Sequence, residues 1–235
     1  MLNFGVLFAL ILVSAVPAVA AFAWLRLARY PFPAPRLLIS LFVGATSLFA
    51  ALFLQSFLAG TGLFPPLTSR AGLLAEIFIR IAFTEELSRL LLLAPLLLAF
   101  QRLDLWKAPS AEGVSADTAG RVYGLVAGLG FGILESAAYG ASNPLNAALR
   151  AFTATPLHAA CASRVGCAAA ALRERPAFAA AQFLSAVFIH GAYNLMIITP
   201  GRLAPWVAIF LAFYALAFSV RAIVRGMRAE DSERA

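Results

Sequence analysis

Apolar residues fill this chain in long runs, and Pro, Gly and Arg punctuate them. A helix that crosses a bilayer needs about 20 apolar residues. Segments of that kind lie near 4–25, 37–59, 72–100, 121–140, 146–171, 177–199 and 203–224. The pattern predicts an all-α fold: one polytopic membrane helix bundle, a single integral membrane domain covering 1–235, with about seven transmembrane helices. The third segment is long enough to tilt, or to start as an interfacial turn after Pro65-Pro66. Pro95 and Pro156 fall inside segments and predict kinks. The only polar connection of any size is 101–120, and the chain ends in a charged tail. Ala18-Val19-Ala20 resembles a signal-peptidase site, but no positive stretch precedes the apolar run, so the first segment is read as a span.

Composition agrees with that reading. Of 235 residues, 62% are hydrophobic and 12% charged, with a mean hydropathy of +0.88. Soluble domains average about 45–50% apolar and about 25% charged. These values exclude an ordinary cytosolic enzyme, a disordered chain, a secreted disulfide scaffold and a nucleic-acid binder. Cys161 and Cys167 lie six apart in one helical segment, too far along the axis to bridge, and are expected as free buried thiols.

The net charge of +7 sorts by position. Twelve Lys and Arg fall on alternate connections and the C-terminal tail, among them Arg26, Arg102, Lys107, Arg173, Arg175 and Arg221. Three fall on the opposite side: Arg70, Arg150 and Arg202. Cytoplasmic loops carry the excess of basic residues, so the N-terminus is expected outside and the C-terminus in the cytoplasm. Trp24, Trp106 and Trp206 near span ends fit an interfacial belt.

The charges left inside spans are few and specific. The third segment holds Glu76, Arg80, Glu85, Glu86 and Arg89; the fourth holds Glu135; the fifth holds His158 and Arg164; the sixth holds His190 and Asn194. Ionisable groups in lipid are costly unless paired or functional. Glu76 and Arg80, four apart, read as a structural ion pair. Arg89 lies four after Glu85 and three after Glu86, so it compensates one carboxylate and leaves the other to hold a proton, bind a cation or act as a general base. Glu135 has no local cation and needs a partner from another helix. His190 and Asn194, four apart, point an imidazole and an amide to one side, either as interhelical glue or as an oxyanion site. At about 1.5 Å per residue, the polar groups of four helices fall in one layer in the outer half of the bilayer. The glycines Gly124, Gly128, Gly130 and Gly132 read as close helix packing rather than a nucleotide loop.

These pieces resemble the PrsW family of intramembrane proteases, within the superfamily of CAAX prenyl proteases and bacteriocin-processing proteins. The resemblance rests on Glu85-Glu86-Leu87-Ser88-Arg89, on Phe131-Gly132-Ile133-Leu134-Glu135-Ser136-Ala137-Ala138-Tyr139, on His158, and on His190-Gly191-Ala192-Tyr193-Asn194, in that order on successive helices spanning about 72–199. It implies a peptidase in which Glu85 activates water and His190 with Asn194 holds the oxyanion. Glu86, Glu135 and His158 complete the catalytic set, and Arg89 is the supporting ion pair. The spacing EExxR is closer to the EExxK of PrsW than to the superfamily's EExxxR, and Glu135 stands where CAAX-type members carry His. The implied substrate is a membrane-anchored protein, anti-sigma-factor-like or otherwise single-span, cleaved towards the extracytoplasmic side of a bacterial cytoplasmic membrane. The implied partners are that substrate and the lipid bilayer, with no nucleic acid. Two chemistries remain open. The preferred one needs no cofactor. The alternative places Zn²⁺ among Glu86, Glu135, His158 and His190. A proton- or ion-coupled transporter and a non-catalytic scaffold are the competing classes.

Overall fold

A computed structural model describes residues 4–28, 30–63, 65, 67–102, 114–141 and 143–234. Its elements are α1 (Phe4–Leu27), α2 (Ala34–Gly60), α3 (Arg70–Ala75), a π-helical segment (Glu76–Phe83), α4 (Thr84–Arg102), α5 (Ala116–Gly140), α6 (Pro144–Ala171), α7 (Pro176–Ile198) and α8 (Ala204–Arg234). Because α3, the π segment and α4 follow one another without a break, the described residues form seven helical rods. Each rod covers one of the apolar segments read from the sequence. Most of the 101–120 connection, with Trp106 and Lys107, lies outside the described residues, as do Arg29 and Pro66.

Local chemistry sets the starts. Ser69 and Ser115 accept hydrogen bonds from the backbone N–H groups of Gly72 and Thr118, and Asn143 accepts one from Leu145. Pro144 and Pro176 occupy first-turn positions, where a missing N–H costs nothing. The helices run on through Pro17, Pro95 and Pro156. The charged tail continues the last helix: α8 extends to Arg234 through residues that are mostly good helix formers.

Among the described residues, five helices are long and apolar enough to cross a membrane: Gly5–Leu27, Ala34–Gly60, Ala116–Gly140, Pro176–Ile198 and Ala204–Ala229. The two remaining rods, α3–α4 and α6, are diluted by the ionisable residues they carry. Burial explains how they tolerate them. In α6 and α5 the buried face reaches around most of the helix, whereas the span of α1 is only 17% buried against 78% for α5. Large apolar side chains such as Phe8, Phe42, Phe53 and Phe210 point outward, as a lipid-facing surface requires.

The α5–α6 pair forms the centre. Gly120, Gly124, Gly128 and Gly132 recur every fourth residue along one face of α5. A Cβ on any of them would collide with α6, at Gly166, Ala162, His158 and Thr155 respectively. A Cβ on Gly44 or Gly130 would likewise meet backbone between α2 and α5. Small residues let these backbones touch, which is how helices gain packing energy where lipid supplies no hydrophobic drive. That contact holds His158, on α6, at a fixed distance from α5.

Candidate active site

The paired glutamates sit just after the π segment. A π turn inserts an extra residue in the helical register and re-aims the side chains beyond it. Thr84 closes it by donating its hydroxyl to the carbonyls of Arg80 (2.5 Å) and Ile81 (3.0 Å). Within the segment Arg80 forms a two-pronged pair with Glu76, and it also donates to the Gln55 carbonyl on α2 (3.4 Å). In α4 the neighbours Glu85 and Glu86 point about 100° apart around the axis, and Arg89 one turn on reaches both. Its Nη1 pairs with Glu86 Oε1, and its Nη2 lies 3.3 Å from Glu85 Oε2. All three are buried, Glu86 completely. The Arg89 guanidinium also lies 4.1 Å from the Phe131 ring centroid, a cation–π contact that α5 supplies.

Arg89 fixes a tautomer on another helix. Its Nη2 lies 3.0 Å from His158 Nδ1. A guanidinium only donates, so Nδ1 accepts. The His158 proton is therefore on Nε2, which donates to Glu135 Oε2 at 2.6 Å. Arg150 Nη2 holds the same oxygen at 2.7 Å, so His158 and Arg150 both meet Glu135 at Oε2. His190 is set the other way round. Its Nδ1 lies 2.8 Å from Glu86 Oε1, and a carboxylate accepts, so Nδ1 carries a proton. In the neutral ring the Nε2 lone pair is then free, and Nε2 lies 3.7 Å from Glu85 Oε2. The two imidazoles stand edge to face, centroids 5.0 Å apart.

The cluster joins α4, α5, α6 and α7, as the expected common layer required. Glu85, Glu86, Arg89, Glu135, His158 and His190 form one connected network. Asn194 is half-buried on α7 and, among the described residues, makes no hydrogen bond to that network. Two residues that the sequence did not single out join it. Arg150, counted there with the outer connections, lies early in α6, pairs with Glu135 and covers the Tyr139 ring at 4.0 Å. Gln55 Nε2 donates weakly to Glu85 Oε1 at 3.4 Å. Tyr139, Gln55, Glu85 and Glu135 line a cavity of about 330 Å³ together with Leu48, Leu52 and Ala138. Its walls come from α2 and α5, with Glu85 of α4 between them, and Leu52 and Tyr139 are half-exposed on either side of its mouth. A lone amide in an apolar span was the available signal for Gln55.

The charges do not balance. Three carboxylates face two guanidiniums, so with neutral imidazoles the network needs one further positive charge, a proton or a cation, to balance in a low-dielectric interior, where uncompensated charge is costly. A further cationic charge would remove that cost. Glu86 Oε2 is buried with no hydrogen-bond partner, a second sign of unfilled capacity. One ligand atom each from Glu85, His158 and His190 lies within 4.8 Å of the others. Two imidazoles and a carboxylate, with a position left open, form a donor set that suits catalytic zinc. The His190–Glu86 pair supplies the carboxylate that orients a metal-binding imidazole. His158 fits only after releasing one of its two bonds. Glu86 and Glu135, the carboxylates named in the sequence-based zinc set, are held instead by Arg89 with His190 and by Arg150 with His158.

The family model described as PrsW family intramembrane metalloprotease matches residues 33–222, most of the chain and every residue of the network. No curated protein matches the chain, and no solved structure does.

Proposed function

We propose that this chain, which belongs to the PrsW family of intramembrane metalloproteases, holds a zinc ion between Glu85, His158 and His190 and uses it to hydrolyse a peptide bond of a membrane-anchored protein. Family membership makes it an integral membrane peptidase whose substrate is a membrane protein. It also favours the zinc alternative over the metal-free reading preferred from sequence. The observation that carries the site assignment is the convergence of one buried carboxylate and two buried imidazoles in a network one positive charge short.

Zinc at such a set lowers the pKa of water to about 7 and polarises a carbonyl. The chain's own residues do the rest. Glu86 keeps His190 in the Nδ1-protonated form, leaving Nε2 free. Arg89 neutralises Glu86. Glu135 lines the cavity, and with its partners gathered on Oε2 its Oε1 is left to take a proton from water and return it to the leaving amine. Arg150 holds that carboxylate in place. The cavity mouth between α2 and α5 admits an unwound substrate segment sideways, past Leu48, Leu52 and Ala138. Asn194, one turn beyond His190, is proposed to donate to the oxyanion once substrate is bound, since catalytic hydrogen bonds often form only in the complex.

We further propose that all seven rods cross the membrane, with the N-terminus outside and the C-terminus cytoplasmic. The excess of arginine at one end of the bundle supports this orientation. It puts the cavity in the outer half of the bilayer, suited to a single-span, anti-sigma-factor-like substrate cut near its extracytoplasmic side in a bacterial cytoplasmic membrane. The test is zinc stoichiometry by elemental mass spectrometry on the purified full chain, with cleavage of a single-span reporter in proteoliposomes. One zinc per chain, lost in Glu85→Gln and His190→Ala, with cleavage stopped by chelation and restored by zinc, is the expected result. Full cleavage by metal-free protein would overturn the zinc reading in favour of glutamate-activated water.

A further inference from the structure

We propose that Arg121 and Arg164 form a second site, at the opposite end of the bundle from the cavity, that binds a phosphate group and takes it from an anionic lipid headgroup. Charge compensation singles out these two residues. Every other arginine with buried guanidinium contacts in α3–α7 has an acidic partner: Arg80 has Glu76, Arg89 has Glu85 and Glu86, and Arg150 has Glu135. Arg121 and Arg164 have none among the described residues. Arg121 Nη2 donates to a neutral acceptor, Gln182 Oε1, at 3.3 Å. Arg164 lies 5.2 Å from the Phe218 ring centroid. Asp117, one turn before Arg121 and so placed to pair with it, is taken by Arg175 at 2.5 Å.

The two arginines also flank one close contact between α5 and α6. Arg121 follows Gly120 and Arg164 lies two before Gly166, and Gly120 and Gly166 are in backbone contact. Arg121 Nη1 and Arg164 Nε are buried from solvent without a hydrogen-bond partner. A fold that places two uncompensated cations beside one helix contact and leaves donors from both unfilled is arranged for an anion with several acceptor oxygens. Phosphate meets that description, and Arg forks match its geometry.

Depth identifies the source. Arg121 is about 8 Å from the start of α5, and Arg164 about 10 Å from the end of α6, at 1.5 Å per residue. Both helices exceed the roughly 20 residues that span the hydrocarbon, so the pair sits near the hydrocarbon edge, from which arginine snorkels to the headgroup level. Basic pockets between helices at that level hold anionic lipid headgroups. Gln182 on α7 and Phe218 on α8 flank the pair, so the headgroup would enter on the α7–α8 side.

The experiment uses the full chain reconstituted in bilayers of phosphatidylcholine with a minority of phosphatidylglycerol, then released into mild detergent, with bound lipid counted by native mass spectrometry. One retained phosphatidylglycerol per chain is expected. Arg121→Gln/Arg164→Gln should lower its retention by at least about tenfold, the scale of losing two arginine contacts near a membrane surface. Arg221→Gln/Arg225→Gln, on the exposed face of α8, should leave it unchanged. If the double variant fails to fold, Arg164→Gln alone carries the test with the same direction. A parallel arm measures the thermal midpoint of delipidated protein in inorganic phosphate against chloride. Stabilisation by phosphate that needs both arginines, without lipid retention, assigns the same site to free phosphate. Retention of phosphatidylglycerol by the double glutamine variant at the wild-type level overturns the site, as does a wild-type chain that responds to neither probe.

Discussion

The cavity at Glu85 and the groove beside Trp24 have the same volume, about 330 Å³ each. The groove is lined by Val16, Pro17, Leu125, Leu129, Phe152 and Phe213 among other apolar residues. The cavity has Gln55, Glu85 and Glu135 in its walls. Both take part of their lining from α5, so size alone does not separate them. The difference lies in what each wall does to a guest. The groove offers dispersion contacts that any acyl chain satisfies equally. The cavity offers oriented donors and acceptors whose protons are fixed by neighbours one layer behind. Chemistry in this fold therefore depends on the layer behind the wall, Arg89, Glu86 and Arg150, as much as on the groups that line the space.

Removing a lining group should separate the two most clearly. Glu85→Gln should lower reporter cleavage by about a thousandfold or more, the scale on which removing a catalytic group acts. The folded fraction and thermal midpoint should change little. Phe152→Ala in the groove should keep cleavage within about twofold, since surface and lipid-facing changes away from a site have small effects. Equal losses from both would mean that the cavity is not the site.

A change behind the wall tests whether that layer matters. Arg89→Leu leaves Glu86 buried without its cation, and removing one partner of a buried pair costs about 3–5 kcal/mol. Chemical denaturation in detergent micelles should show that loss. The double variant Arg89→Leu/Glu86→Leu should recover most of the stability, because the orphaned charge is gone, yet remain inactive, because His190 Nδ1 has lost its acceptor. Recovered activity in the double variant would show that Glu86 does not orient His190.

The distribution of charge made much of this arrangement legible in the sequence. The seven apolar runs correspond to seven rods, and Glu85, Glu86, Arg89, Glu135, His158 and His190, picked out as ionisable groups in apolar spans, meet in one network. Other features carried no such signal. The π segment has no periodic signature, since a single inserted residue shifts register without changing residue type. Arg150, at the start of the fifth apolar run, counts with the outer connections in the charge tally, and only the fold shows it turned inward to Glu135. Gln55 is neutral, so sorting by charge passes over it. The tautomers of His158 and His190 depend on which atom of a partner approaches, which no spacing encodes.

Milder changes bear on how the layers are held at their spacing. Gly128→Ala places a methyl against the His158 carbonyl and the Ala159 Cα. Backbone cannot swing aside, so α5 and α6 must separate. Overpacking of this kind costs about 1–3 kcal/mol, and here it also moves His158 relative to Glu135. The thermal midpoint should fall and cleavage should fall with it. Gly60→Ala, at the end of α2, has nothing within 4 Å of the new Cβ. There the only change is the lost flexibility of glycine, which favours the helix by about 0.5–1 kcal/mol. Its midpoint should rise slightly, with cleavage unchanged. If Gly128→Ala instead matched Gly60→Ala, the backbone contact between α5 and α6 would not be what sets the distance from His158 to its carboxylate.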